Sequence, residues 1–320
     1  MDTLCLWHCG LRHSRNVGVT PPKHEPDAMC WRYVALIAPL EATMSARQIR
    51  LAAVATGAAL LLAACGAGSD GGDAETTGGS EPAAGGDFDL IQDGALTACS
   101  EVPYVPFEFE DADAPSGYSG FDIDLLQAIA DNLGLELVVA DVSFDALQSG
   151  TTLVAGQCDI GASAITITDA RKANIDFTDG YYDSLQSLLV PADSDITGIA
   201  DLAGRTVAVQ QGTTGKAYAE ENAPEAKLVD YPGDGEMWPA LQAGQVEAIL
   251  QDWPVNREHE VADPNYKIVE QFETDEQYGF AFAKGEKTAL REAVNAELQT
   301  LRDDGTYDEI YSSYFTADGS

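Results

Sequence analysis

Six cysteines and four histidines are the residues of this chain best suited to attack a substrate or hold a metal. Their spacing argues against most such chemistry. Cys5, Cys9 and Cys30 lie with His8, His13 and His24 in the first 43 residues. Cys5 and Cys9 beside His8 and His13 lack the second paired cluster that a structural zinc site needs. After Cys65 only Cys99, Cys158 and His259 remain. That set builds no His/Cys zinc site and no Ser-His-Asp or Cys-His triad unless His259 serves alone. His259 stands in Arg257-Glu258-His259-Glu260, a charged run that reads as a solvated face. Neither a metal nor another cofactor is expected.

Cys65 offers a different chemistry. An apolar run, residues 51–64, follows Arg47 and Arg50 and ends in Leu62-Ala63-Ala64-Cys65. A basic start, an apolar core of about 7–15 residues and small residues at the cleavage point make a secretory signal. The run is too short to cross a bilayer as a helix, which takes about 20 residues. A cysteine placed directly after it resembles the bacterial lipobox, whose thiol is acylated and becomes the first mature residue. Met44 opens this signal, so residues 1–43 read as a non-native upstream extension and residues 44–64 as the lipoprotein signal peptide. Residues 65–87, rich in Gly, Ala, Ser and Thr, read as a flexible tether. The expected location is the outer face of the cell membrane, held by the lipid on Cys65.

From Cys65 onward lie 49 of the 53 acids and 11 of the 17 bases, a net charge near −38. Such a chain repels nucleic acid and anionic membrane surfaces. A hydrophobic fraction of 45% nevertheless argues for a packed core rather than disorder. Roughly 230 residues follow Phe88, enough for one large domain or two lobes.

The elements that must position any site alternate along those residues. Residues 95–99 read as a strand that runs into the turn-rich segment 101–106. Phe121, Leu125, Ile129 and Leu133 form one face of a helix. Residues 135–139 read as a strand, 144–155 as a helix and 159–163 as a buried strand. Residues 182–190 are extended, 206–210 a strand, and Gly212-Thr213-Thr214-Gly215 opens a helix. Residues 246–250 and 278–283 are extended, and 288–301 and 307–315 are helical. Strands alternating with helices argue for mostly parallel sheets with crossover helices. Two such clusters joined by two extended crossings argue for an α/β chain of two lobes with a cleft between them.

At this point five motifs resemble a known family in their order. They are Tyr104-Val105-Pro106-Phe107-Glu108-Phe109, Gly120-Phe121-Asp122-Ile123-Asp124-Leu125, Thr166-Ile167-Thr168-Asp169-Ala170-Arg171, Gln211-Gly212-Thr213-Thr214 and Gln251-Asp252. With the ending Asp304-Gly305-Thr306-Tyr307, they look like the type 2 periplasmic solute-binding proteins, in the polar amino acid branch that serves ABC importers. The resemblance implies a two-lobed type 2 periplasmic-binding-protein fold. Each lobe would be a mixed, mostly parallel sheet flanked by helices, with two hinge crossings. Lobe 1 would hold residues 88–188, lobe 2 residues 189–279, and residues 280–320 would return to lobe 1.

The resemblance also implies a ligand set, and each member makes chemical sense. Arg171 would offer a bidentate fork to an amino acid carboxylate. Thr213 and Thr214, at a helix start, would add N–H groups favouring the same anion, and simple N-capping is compatible with that role. Asp252 would take the ammonium, Tyr104 would form an aromatic wall, and Thr166 with the Ala164 backbone would supply polar contacts. Glu101 would face the ligand side chain and favour a cationic or amide-bearing one. Phe144, Gln210 and Trp253 are further candidates for the pocket wall, whereas Phe107 and Phe121 read as core. The implied partners are an amino acid, an ABC permease with its ATPase, and the membrane through Cys65, with the receptor a monomer. Two other functions fit the same fold. One is a cyclohexadienyl-dehydratase-like enzyme using Glu101 and Asp252 as acid and base. The other is a sensing module acting through a partner.

Cys99 and Cys158 stay open. Two cysteines in an exported domain usually pair. If Glu101 and Ser163 reach the same edge of neighbouring strands, however, the cysteines are offset by three residues, about 10 Å. Bridged Cα atoms lie within about 7 Å.

Overall fold

The computed structural model describes residues 88–315. The expectations for residues 1–87, Cys65 included, lie outside the described residues. The chain first builds β1 (Ala95–Ser100), a small hairpin of β2 (Phe109–Glu110) and β3 (Tyr118–Ser119), α1 (Phe121–Leu133) and β4 (Glu136–Asp141). Then come α2 (Phe144–Gln148), α3 (Thr151–Val154), β5 (Ile160–Gly161), α4 (Asp169–Lys172) and β6 (Ile175–Phe177). The long β7 (Tyr182–Pro191) leads to β8 (Thr206–Gln210), α5 (Thr214–Asn222), β9 (Lys227–Tyr231), α6 (Asp234–Gln242), β10 (Ala248–Asp252) and α7 (Trp253–Ala262). The equally long β11 (Tyr266–Tyr278) returns to β12 (Ala281–Ala283), α8 (Thr288–Asp304) and α9 (Thr306–Tyr314).

Two five-stranded sheets result, in the orders β4-β1-β5-β12-β6 and β11-β7-β10-β8-β9. In the first, β1 runs parallel to β4 and β5, and β12 is antiparallel to β5 and β6. In the second, β8 is parallel to β9 and β10, and β7 is antiparallel to β10 and β11. Each lobe is thus a mixed sheet covered by helices, an α/β architecture with its own apolar core. Lobe 1 buries Phe107, Phe121, Leu125 and Ile129 among the aromatic rings of α9. Lobe 2 buries Leu188, Val207, Val209 and Leu250 on one face of its sheet, and Met237 and Ile249 on the other.

The two crossings are β7 and β11, paired from Tyr182↔Tyr278 to Pro191↔Tyr266. The 188/189 boundary expected between the lobes therefore falls inside β7, because the crossing is itself one continuous strand. Ser184, Gln186 and Leu188 already belong to the second sheet's pairing.

Other expectations need local correction. The helix expected over residues 144–155 is two short helices. Gly150 breaks it at φ 84°, and a Cβ there would lie 2.7 Å from Ile175 Cγ2. The strand expected over 159–163 pairs only at Ile160–Gly161 before the chain turns at Ala164, where φ is 45°. His259 is not on a solvated face. Its Nε2 lies 2.9 Å from Asp234 Oδ1 and its ring stacks on Trp238, with centroids 4.2 Å apart. The charged run around it folds onto α6, so the residue is half-buried.

Register explains the cysteines. Cys99 stands opposite Gly161, so Cys158 does sit three residues back. Extended pairing begins only at Ile160, however. The turn leaving α3, with the Gln157 N–H on the Thr152 carbonyl at 3.1 Å, carries Cys158 over the sheet. The two Cα atoms end 5.6 Å apart and the sulfurs are joined.

Candidate functional site

All eight residues singled out for ligand contact line one cavity in the cleft. They are Glu101, Tyr104, Ala164, Thr166, Arg171, Thr213, Thr214 and Asp252, joined by Phe144, Gln210 and Ser163. Trp253 is not among them; it is the first residue of α7. Lobe 1 contributes Glu101 and Tyr104 from the segment after β1, Ser163 to Thr166 from the turn after β5, and Arg171 from α4. Lobe 2 contributes Gln210, Thr213 and Thr214 from the β8–α5 turn and Asp252 from the end of β10.

Arg171 is seated by its own helix. Thr168 caps α4 by accepting the Arg171 N–H at 3.1 Å. The guanidinium lies over the Phe144 ring, 5.2 Å from its centroid. Its Nη1 donates to the Thr166 carbonyl at 2.8 Å and its Nη2 crosses the cleft to the Gly212 carbonyl at 3.0 Å. Burial lowers its pKa to about 10, so it stays cationic at neutral pH. Among the described residues no carboxylate forms an ion pair with it.

Asp252 faces it from the other lobe. The Tyr104 hydroxyl donates across the cleft to Asp252 Oδ2 at 2.8 Å, and Gln186 Nε2 donates to Oδ1 at 2.5 Å. Burial raises the Asp252 pKa against these hydrogen bonds. Thr213 caps α5, accepting the Lys216 N–H at 3.1 Å, so capping and placement at the cavity coincide. Ala164 lines the cavity, but its N–H is donated to Asp122 at 2.8 Å. Only its carbonyl is left for a ligand. Glu101 accepts from the Gln210 amide across the cleft, and burial pushes its carboxyl up to about 8.

Sequence reasoning missed Glu276 on β11. Its Oε2 accepts from Gln186 at 3.0 Å, Thr214 at 3.2 Å and Thr166 at 3.3 Å, tying both lobes and a crossing strand to one oxygen. Burial first, and Asp252 second, push this carboxyl up to about 7. The cavity thus holds one guanidinium against Asp252, with Glu101 a further acid in its lining and Glu276 hydrogen-bonded to the lining residues Thr166 and Thr214. The arrangement suits a solute with one anionic and at least one cationic pole. Among the described residues no cluster of His, Cys, Asp or Glu could hold a metal. No helix among them is long and apolar enough to cross a membrane.

Comparison with known proteins accounts for this architecture. Residues 96–317 match the model of the bacterial extracellular solute-binding proteins, family 3. An ABC transporter glutamine-binding protein of Bacillus subtilis (strain 168) is 36% identical over 204 residues, 62% of this chain and 73% of the relative. The histidine-binding periplasmic protein of Salmonella typhimurium is 32% identical over 232 residues, 68% of this chain and 86% of the relative. Among solved structures, an ancestral arginine-binding protein bound to arginine matches with a TM-score of 0.65 at 33% identity, covering 69% of this chain and 98% of that one. An ancestral amino acid-binding protein described as a precursor of cyclohexadienyl dehydratase matches at 0.64 and 34%, covering 70% and 96%. With this fold, this cleft and a match spanning both lobes, the chain belongs to the bacterial extracellular solute-binding proteins of family 3.

Proposed function

We propose that this protein is a lipid-anchored receptor outside the cell membrane that closes its two lobes on a polar amino acid and delivers it to an ABC importer. One observation carries the reading: a buried guanidinium from lobe 1 and a buried carboxylate from lobe 2 line the same small cavity. Arg171 takes the ligand carboxylate and Asp252 its ammonium. Thr166, Thr213 and Thr214 add polar contacts, and Tyr104 closes one side. Hinge motion about β7 and β11 brings the two poles together, and a ligand that bridges both lobes stabilises the closed form. No covalent step is required of any residue. The glutamine-, histidine- and arginine-binding relatives support a polar ligand, and Glu101 at the far wall favours a cationic or amide-bearing side chain.

A thermal-shift screen of the mature protein against the twenty amino acids tests this, because a ligand that binds only the folded state raises the melting point. A shift with arginine, histidine, lysine or glutamine is expected; no shift with any amino acid would sink the reading. Glu101→Gln should weaken a cationic ligand and leave a neutral one nearly unchanged. With burial holding Glu101 at about 8, a cationic side chain must also displace its proton. Calorimetry in buffers of different ionisation enthalpy reads that release, and the variant should lack it.

The anchor has its own test. Cys65→Ser should move the protein from the membrane fraction to the soluble one. Equal membrane retention of the variant and the parent chain would refute lipidation at Cys65.

A further inference from the structure

Two carboxylates beneath the cleft wall take no part in the clamp. Glu108 and Asp122 are both 0% exposed. Backbone packing brings the two segments that carry them together. Gly120 caps α1 at φ 128°, and a Cβ there would stand 2.1 Å from the Phe107 carbonyl oxygen and 2.6 Å from the Glu108 nitrogen. The Phe121 N–H donates to the Pro106 carbonyl at 2.9 Å, and the Asp122 N–H to the Phe107 carbonyl at 3.1 Å. The first turn of α1 is therefore locked onto the loop that carries Glu108.

One oxygen of each side chain is engaged. Glu108 Oε1 accepts the Ser163 hydroxyl at 2.5 Å. Asp122 Oδ2 accepts the Ala164 N–H at 2.8 Å and the Tyr181 hydroxyl at 2.6 Å. The other oxygen of each, Glu108 Oε2 and Asp122 Oδ1, is buried with no donor. Among the described residues no Lys, Arg or His forms an ion pair with either carboxylate. Buried polar atoms are nearly always satisfied, and two adjacent buried carboxylates do not both ionise.

We propose that Glu108 and Asp122 share one proton, held between Glu108 Oε2 and Asp122 Oδ1, and that Ser163 and Ala164 in the cleft wall hang on this pair. A single proton supplies the missing donor for both orphaned oxygens and leaves one negative charge, which the Tyr181 hydroxyl and the Ala164 N–H stabilise. Ala164 needs such a hold, since φ of 45° is unfavourable for a residue with a Cβ. The other ionisable groups facing the pair are Glu101, Asp252 and Tyr104 toward Glu108, and Tyr181 toward both carboxylates. None is a cation, so their field favours keeping the proton. Burial first, and Asp122 second, hold the Glu108 carboxyl well above its usual range, and burial pushes Asp122 up to about 7.

Two ligand-free measurements on the full chain test the pair. In infrared spectra at pH 7, a protonated-carboxyl carbonyl band of the wild type should disappear in both E108Q and D122N. In each variant an amide N–H replaces the shared proton and the remaining carboxylate ionises. A band that survives either substitution shows a proton held by one residue alone and overturns sharing. The second measurement is the melting point against pH. The folded pair keeps its proton where the unfolded carboxyls, near 4.5 and 3.8, have lost theirs. Stability should therefore fall as pH rises above about 4.5, over the range in which the folded pair still holds a proton that the unfolded chain has released. E108Q should fall less steeply, and a slope equal to that of the wild type would overturn the proposal. Because neither readout uses a ligand, failure here is distinct from failure of the amino acid reading.

Discussion

Arg171→Ala and Asp252→Ala should each weaken every amino acid ligand by about 2–5 kcal/mol, the usual cost of truncating one partner of a buried charge-assisted contact. In dissociation constant that is roughly 30-fold to several thousand-fold. The loss should not depend on the ligand side chain, because both residues address groups that all amino acids share. This uniformity separates the clamp from Glu101, whose substitution should discriminate between side chains. Arg171 does more than carry charge. Its two Nη atoms reach the Thr166 and Gly212 carbonyls, and its plane lies on Phe144. Arg171→Lys should therefore also bind weakly, since an ammonium has neither the fork nor the flat face. Calorimetric titration reads all three variants. Wild-type affinity in Arg171→Ala would remove the clamp and most of the case for an amino acid ligand.

Replacing Cys99 and Cys158 together by alanine should cost about 4 kcal/mol of stability, the chain-entropy value for a cross-link of this span; the two residues are 59 apart in sequence. For a domain of this size that is roughly 8–16 °C in melting point. The pair should appear in intact mass as two hydrogens gained on reduction. Cys99 and Cys158 are buried in the same cluster as Phe144, the ring beneath Arg171. The double variant should thus bind more weakly as well as melt earlier. Unchanged melting would show that the cross-link contributes nothing in solution.

Much of this was legible in the sequence, for physical reasons that differ by residue. Phe121, Leu125, Ile129 and Leu133 repeat with the helical period, and α1 has the expected bounds. Arg171, Asp252 and the two threonines stand in motifs whose order along the chain is the order in which the fold brings them to the cleft. The break at Gly150 was not legible, because the apolar spacing of residues 144–155 continues across it. What breaks the helix there is the left-handed backbone of Gly150, at a point where Ile175, 25 residues on, leaves no room for a side chain. Glu276 was equally hidden. It lies in Glu273-Thr274-Asp275-Glu276-Gln277, where alternation along a strand gives no sign that one acid turns inward. Glu108 and Asp122 were visible as motif letters only. Nothing in their types says that two carboxylates would be buried side by side.

Residues lining the cavity are already satisfied by one another across the cleft: Tyr104 with Asp252, Gln210 with Glu101, and Arg171 with the Gly212 carbonyl. Entry of a solute is therefore an exchange of partners rather than the filling of vacant ones. Each pole of the ligand must replace a bond it displaces, so a molecule missing one pole leaves a broken bond with no substitute. An amine without its carboxylate offers Arg171 nothing, and an acid without its ammonium offers Asp252 nothing. With Arg171 and Asp252 holding the two poles as proposed, half-ligands should be rejected by this wiring alone, before the side-chain pocket has any say.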